Sequence, residues 1–385
     1  MTTGALPAAR AGNRAGVPGA ARQAGLMAIR PAGLAAALLL LLAAATGAAA
    51  QNAPGRETVF YLVDARNALD SFEQHAGQVS IIGPQSFRVD AQGQLTGAVP
   101  ARVLEIAGQH GVRVMPLIVN PGWNLELFHA LVNDTAGRAR MIARMVELGR
   151  RDGYWGWQFD FEQIHVSDRD ALTRFYRETA DALHGAGMKL SIAVYPAPGG
   201  LTGGTPYHQW LSDYLVAAYD LKALADAGDF ISLMTYLQHT PRTPPGPAGG
   251  LPYMKRVVEH ALQLGVRPDQ LSLGIPFFST YWYTDWNAER KGFSWSRGLD
   301  WAGTLELLRR FDAKARWDGE QGASWAKWEH QGTFEYAWIE DARALAPKLD
   351  LERRYGLRGI SVWRIGQEDP DVWKVLARWA KRIER

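Results

Sequence analysis

Gly153-Tyr-Trp-Gly-Trp-Gln-Phe-Asp-Phe-Glu162 is the stretch on which the fold turns. Residues 155–161 read as a buried strand. Side chains alternate along a strand, so Gln158, Asp160 and Glu162 share one side and Phe159 and Phe161 the other. Two carboxylates on a buried face are unfavourable without a purpose. A pair whose pKa values are pushed apart supplies one, because one acid then stays protonated while its neighbour stays ionised. The bland reading is a salt bridge from Asp160 and Glu162 to an interior arginine.

Outward from this stretch, short apolar runs alternate with amphipathic ones. The strand candidates are Val59–Val63, Val79–Gly83, Val112–Val119, Trp155–Phe161, Lys189–Tyr195, Phe230–Tyr236, Leu271–Phe277 and Gly359–Trp363. They are apolar at most positions, as parallel strands covered on both faces should be. Helical patterns between them include Arg138–Arg150, Asp168–His184 with Ser167 as N-cap, and Pro252–Leu264. Eight strands in this alternation predict an α/β (β/α)8 TIM barrel, in which strand four aims Gln158, Asp160 and Glu162 inward, toward the C-terminal mouth. A doubly wound sheet is the alternative, but no glycine-rich phosphate turn follows the first strand. Between Phe277 and Gly359 the chain is too long for one crossover. Residues 279–345, rich in tryptophan from Trp282 to Trp338 and including Trp286, read as a small α+β insertion between strands seven and eight. Thr240–Gly250 reads as a loop after strand six.

Composition narrows the function. The 385 residues contain no cysteine, which excludes disulfides, cysteine-ligated zinc, iron–sulfur clusters and cysteine nucleophiles. The formal charge of +3 belongs to the first fifty residues, which hold Arg10, Arg14, Arg22 and Arg30 and no acid. The remainder is near neutral, so no nucleic-acid partner is expected. An Arg-bearing start, an apolar run from Gly33 to Thr46 and small Ala48-Ala49-Ala50 before Gln51 have the layout of a secretory signal. The expectation is a signal peptide over 1–50, a barrel over 51–385, and export to the periplasm or outside the cell without a lasting membrane span. An uncleaved anchor is the rival, since Ala32 to Ala50 is about long enough to span a bilayer. No metal site, P-loop or nucleophile elbow is visible, and no cofactor is expected. A monomer is expected.

The strand-four segment resembles the motif of family 18 glycoside hydrolases, the chitinase-like barrels, commonly GYDGxxxDxE. Ser232-Leu-Met-Thr-Tyr236 resembles their strand-six M-x-Y motif, and Leu273-Gly-Ile-Pro-Phe277 their strand-seven G-x-P-F/Y motif. Gly359-Ile-Ser-Val-Trp-Arg-Ile-Gly-Gln-Glu-Asp-Pro370 resembles the strand-eight segment, in the form familiar from bacterial cell-wall and spore-cortex lytic enzymes. The likeness covers essentially all of 56–385. It implies substrate-assisted catalysis, with the N-acetyl carbonyl of the −1 sugar attacking its own anomeric carbon, and an N-acetylated polysaccharide as partner. Glu162 would be the general acid and then base, Asp160 the group that orients the acetamide, and Tyr236 a donor to its carbonyl. Trp363 would pack beneath the −1 sugar.

This chain departs from the motif at three points. Trp155 and Gln158 stand where the family has aspartates, and Leu237 where it often has another. Gln158 could still hydrogen-bond Asp160. Weaker binding candidates are Tyr61, which could line the −1 pocket or fill the barrel, and Trp123, which with Asn120 and Pro121 could form a sugar subsite or pack a loop. Tyr195, Gln238 and His239 sit at strand ends on the mouth face and could bind or pack. Arg364 is expected to pair with Glu368 or Asp369. Two rivals stay open: a glycan-binding barrel with lapsed catalysis, which intact Glu162 opposes, and a two-carboxylate glycosidase outside the family.

Overall fold

The computed structural model describes residues 56–195, 197–199, 204–284 and 295–381. The chain divides into Met1–Pro54 and Gly55–Arg385. The expected leader and Trp286 lie outside the described residues.

Sixteen strands are described. In chain order they are β1 Glu57–Leu62, β2 Ile81–Pro84, β3 Phe87–Val89, β4 Leu95–Gly97, β5 Arg113–Val114, β6 Leu117–Val119, β7 Gly156–Asp160 and β8 Lys189–Val194. There follow β9 Phe230–Leu233, β10 Leu271–Pro276, β11 Ser279–Tyr283, β12 Trp295–Leu299, β13 Arg316–Asp318, β14 Ala323–His330, β15 Thr333–Ile339 and β16 Gly359–Trp363. The barrel strands pair in parallel, from β7 through β8, β9, β10, β16 and β1 to β2. Each of the eight expected strands is present.

The third is split. β5 pairs with β2 and β6 with β7, so residues 113–119 change neighbours at Met115-Pro116 and close the ring. Pro116 has no N–H to give a ladder. Its carbonyl still accepts from Gln158 N at 3.0 Å, and Met115 N donates to Ile82 O at 3.0 Å.

Alternation sorts the strand-four side chains as expected. Trp157, Phe159 and Phe161 face outward into the main core, against Phe128, Phe175 and Tyr176 on the helices Leu125–Asn133 and Arg169–Gly185. Gln158 and Asp160 face the barrel interior, and both are buried. The helices Thr135–Asp152 and Leu251–Gln263 also form where their apolar stripes place them. Ser167 does not cap its helix. A short turn, Val166–Asp168, intervenes, so the cap position passes to Asp168.

The long interval after β10 folds as an antiparallel sheet, ordered β12-β11-β15-β14-β13. One face of it packs Tyr281, Trp328 and Ile339 against Leu307 and Phe311, at and just beyond the helix Trp301–Arg310. The chain returns to the barrel through the helix Ala342–Tyr355. A hairpin, β3–β4, extends the barrel sheet beside β6.

Candidate active site

The barrel interior is layered. At the bottom, the Arg113 guanidinium lies 4.4 Å from the Trp155 ring, and Glu57 bridges Arg113 at 2.7 Å and Arg358 at 2.5 Å. Trp155 packs there with Val59, Ile81 and Met115. An indole with an arginine on its face fills the floor at this position.

The middle layer is polar and buried. Gln158 Nε2 donates to Ser191 Oγ at 2.8 Å and Ser232 Oγ at 3.1 Å. Ser361 shares hydrogen bonds with Ser232 at 2.8 Å and Ser272 at 2.6 Å. Gln158 therefore does not reach for Asp160, contrary to the expectation. Its amide hydrogens serve the serine chain, and its Oε1 has no protein partner.

The top layer is the mouth. A pocket there is lined by Tyr61, Trp123, Asp160, Glu162, Tyr236 and Trp363, with Leu117, Ala193, Met234, Leu237 and Phe278 as its apolar wall. Asp160 is 3% exposed, and Gln85 Nε2 donates to its Oδ2 at 3.3 Å. Glu162 lies two residues past the end of β7. Its backbone is clamped by buried Asn120, whose Oδ1 accepts from Glu162 N at 3.0 Å and whose Nδ2 donates to Glu162 O at 2.9 Å. The Tyr219 hydroxyl donates to Phe161 O at 2.6 Å. Gln163 then takes φ +55°, turning the chain off the strand line.

The electrostatics follow from burial. Desolvation pushes Asp160 up to about 6, and the Gln85 amide opposes that shift. Desolvation, then the neighbouring Asp160 charge, push Glu162 up to about 8, while the Tyr195 hydroxyl opposes. Glu162 is thus the stronger proton holder, and a protonated carboxyl beside an ionised one can protonate a leaving oxygen.

Tyr236 is buried, with its ring edge-on to Phe278 at 6.3 Å. A Cβ on Gly274 would stand 2.9 Å from the Tyr236 ring and 2.1 Å from Leu233 O, so the strand-seven glycine makes room for that tyrosine. Trp363 lies 5.7 Å from the Tyr61 ring.

The expected site residues thus divide. Glu162, Asp160, Tyr236, Trp363, Tyr61 and Trp123 converge on one pocket, and Tyr195 stands near Glu162, where its hydroxyl opposes the rise in the Glu162 pKa. Gln238 and His239 do not line it. Gln238 Oε1 accepts from Gly250 N at 2.8 Å and His239 Nδ1 meets Pro244 O at 3.0 Å, so both brace the loop after β9. Arg364 makes no ion pair with Glu368 or Asp369. Glu368 accepts from Gly366 N and Trp373 Nε1, and Asp369 from Ala342 N and Asp371 N, so both carboxylates are already committed. Gln85 and the Asn120 clamp were not anticipated. For Asn120 the available signal was a polar residue just past a buried strand end.

The family model for glycosyl hydrolases family 18 matches residues 86–368. The chain belongs to this family. The cortical fragment-lytic enzyme of Bacillus subtilis (strain 168) is 26% identical over 317 residues, covering 81% of this chain and 70% of the relative. Two solved structures share the family fold with it. A chitinase from Chromobacterium violaceum ATCC 12472 superposes with TM-score 0.74 at 23% identity, covering 84% of this chain and 98% of that one. The spore cortex-lytic enzyme SleL of Bacillus megaterium QM B1551 gives 0.73 at 20% identity, covering 84% and 73%. As a family 18 member on a (β/α)8 barrel, the chain is a glycosidase.

Proposed function

We propose that this glycosidase is exported and cleaves β-1,4 linkages beside N-acetylhexosamine, in peptidoglycan, chitin-like or exopolysaccharide chains. The observation that carries the reading is buried Asp160 beside half-buried Glu162 in an apolar pocket with Tyr236 and Trp363. Glu162 gives its proton to the leaving glycosidic oxygen as the substrate's acetamido oxygen bonds to the anomeric carbon. Asp160 accepts from the acetamido N–H and offsets the cation, and Tyr236 donates to the acetamido oxygen. Water then adds to the anomeric carbon, losing a proton to Glu162, and the ring formed by the acetamide reopens. The anomeric configuration is retained. Among the described residues lining the pocket, no carboxylate comes from another strand, which favours the substrate's own acetamide as nucleophile. The Arg-bearing, apolar, Ala-ending leader over 1–50 supports export.

Product analysis on N-acetylglucosamine oligomers and the same oligomers de-N-acetylated tests this. Cleavage of the first set alone, abolished by Glu162→Gln with folding intact, is the expected result. Equal cleavage of both sets, or a Glu162→Gln variant at wild-type rate, would overturn it.

A further inference from the structure

We propose that Gln85 is the positioning residue for Asp160: its amide anchors the carboxylate and keeps it charged while the pair's single proton stays on Glu162. The proposal rests on the reading of Asp160 and Glu162 given above.

Asp160 is almost fully buried, and none of the ion pairs among the described residues involves it. The one side-chain hydrogen bond it receives there comes from Gln85 Nε2, at 3.3 Å. Nothing equivalent comes from below. Gln158, the inward neighbour one layer down, has its amide hydrogens on Ser191 and Ser232, and its unpartnered Oε1 is an acceptor, which gives nothing to a carboxylate.

Gln85 is well held for this task. It follows Pro84, the last residue of β2, and its N–H donates to Leu62 O at the end of β1 at 2.9 Å. Phe87, two residues on, begins β3, which pairs with β6. The backbone of Gln85 is thus tied to the ends of two barrel strands and leads into the hairpin strand β3.

Residue type matters. An amide N–H can only donate to Asp160, so it stabilises the charged form. A carboxyl at the same place would share a proton or repel. The other ionisable groups facing Asp160 are Glu162 beyond its own strand, Tyr61 on β1, Tyr195 after β8, Tyr219 on the segment before β9 and Tyr236 after β9. Burial raises every one of those tyrosines, so they stay neutral where Asp160 titrates. Glu162 is the one group that shares its protons. Gln85 therefore biases which of two acids is charged.

The test is a carboxyl-carbon NMR titration of the protein labelled at Asp and Glu side chains, with signals assigned by Asp160→Asn and Glu162→Gln. Gln85→Ala should move the Asp160 midpoint upward by about one pH unit, the scale of a hydrogen bond to a charged group. Gln85→Glu keeps the side-chain length, serves if the alanine variant fails to fold, and should move the midpoint further in the same direction. On a cleaved glycan, the acidic limb of kcat/KM should shift by the same amount. Adding Gln85→Ala to Asp160→Asn should lower kcat no further. An unmoved Asp160 midpoint in a folded variant, or full additivity of the two substitutions, would overturn the proposal. If the wild type cleaves no N-acetylated glycan, the proposed function falls and the NMR arm still decides the role of Gln85.

Discussion

Asp160 and Glu162 differ in environment more than in chemistry, and that difference makes their behaviour with pH predictable. Asp160 must be charged and Glu162 protonated, with apparent midpoints near 6 and 8 that belong to the pair. kcat/KM should therefore peak between these values. It should fall below about 6 as Asp160 gains a proton and above about 8 as Glu162 loses one, and a pH–rate profile checks both limbs. The same burial weakens the fold. Glu162 holds its proton in the folded chain to a higher pH than in the unfolded chain, so the unfolded state gains by releasing it first. Stability is unaffected below the unfolded value of 4.5, declines from there to about 8, and is level beyond. Glu162→Gln removes this slope. It should unfold at higher urea than wild type at pH 8, by roughly 2–4 kcal/mol, with the gap closing at pH 4. A gap that does not narrow toward pH 4 would show that Glu162 is not held protonated by the fold.

At the scale of elements, the parallel pairing of β9 with β10 sets Tyr236. Thr235 Oγ1 donates to Gly274 O at 2.6 Å, and the missing Cβ of Gly274 lets Leu233 O and the tyrosine ring close in. Gly274→Ala must push those groups aside. It should lower stability by about 1–3 kcal/mol and reduce kcat in the surviving folded enzyme at least tenfold, read from thermal unfolding and activity on one preparation. An unchanged kcat would separate Tyr236 from the chemistry. The strands β9, β10 and β16 were legible in the sequence because both their faces are buried, so Ile231, Ile275 and Ile360 need no polar alternation to be read. The break in strand three was visible only as Pro116. The β3–β4 hairpin gave no signal, since strands of three residues carry too little periodicity. As lining of one pocket, Asp160 and Glu162 were legible from strand alternation, and Tyr236 and Trp363 from the family-like motifs that hold them. Gln85 was not, because its partner lies 75 residues away and barrel closure alone brings them together. Gln238 and His239 share the strand-end position, yet the loop after β9 folds back on its own carbonyls and N–H groups and claims both.

For the whole molecule, the question is how the inserted sheet stays fixed to a barrel from which it departs at Ser279 and to which it returns at Ala342. Glu340 follows β15 directly, and Lys348 lies two turns into the return helix; both side chains are buried, with Lys348 fully so, and they form an ion pair. Desolvation pushes Glu340 up to about 7, while the Lys348 charge opposes that shift, so the ion pair holds the carboxylate against its own burial. Ser279 Oγ accepts from Glu340 N at 3.2 Å, which joins the first strand of the insertion to the same point. Breaking the pair on one side leaves a buried carboxyl without its cation. Lys348→Met should therefore destabilise the chain by about 3–5 kcal/mol, whereas Glu340→Leu combined with Lys348→Met should recover most of that, since an apolar pair of similar volume avoids the desolvation. Urea unfolding followed by amide hydrogen exchange, read separately over β14–β15 of the insertion and over the barrel helices, measures both effects. If the junction couples the two parts, the two signals move together in wild type and separate in Lys348→Met, with the insertion melting first. Coincident transitions in that variant, at the wild-type midpoint, would mean that the sheet is held by its packing alone and that Glu340 and Lys348 contribute nothing to the union.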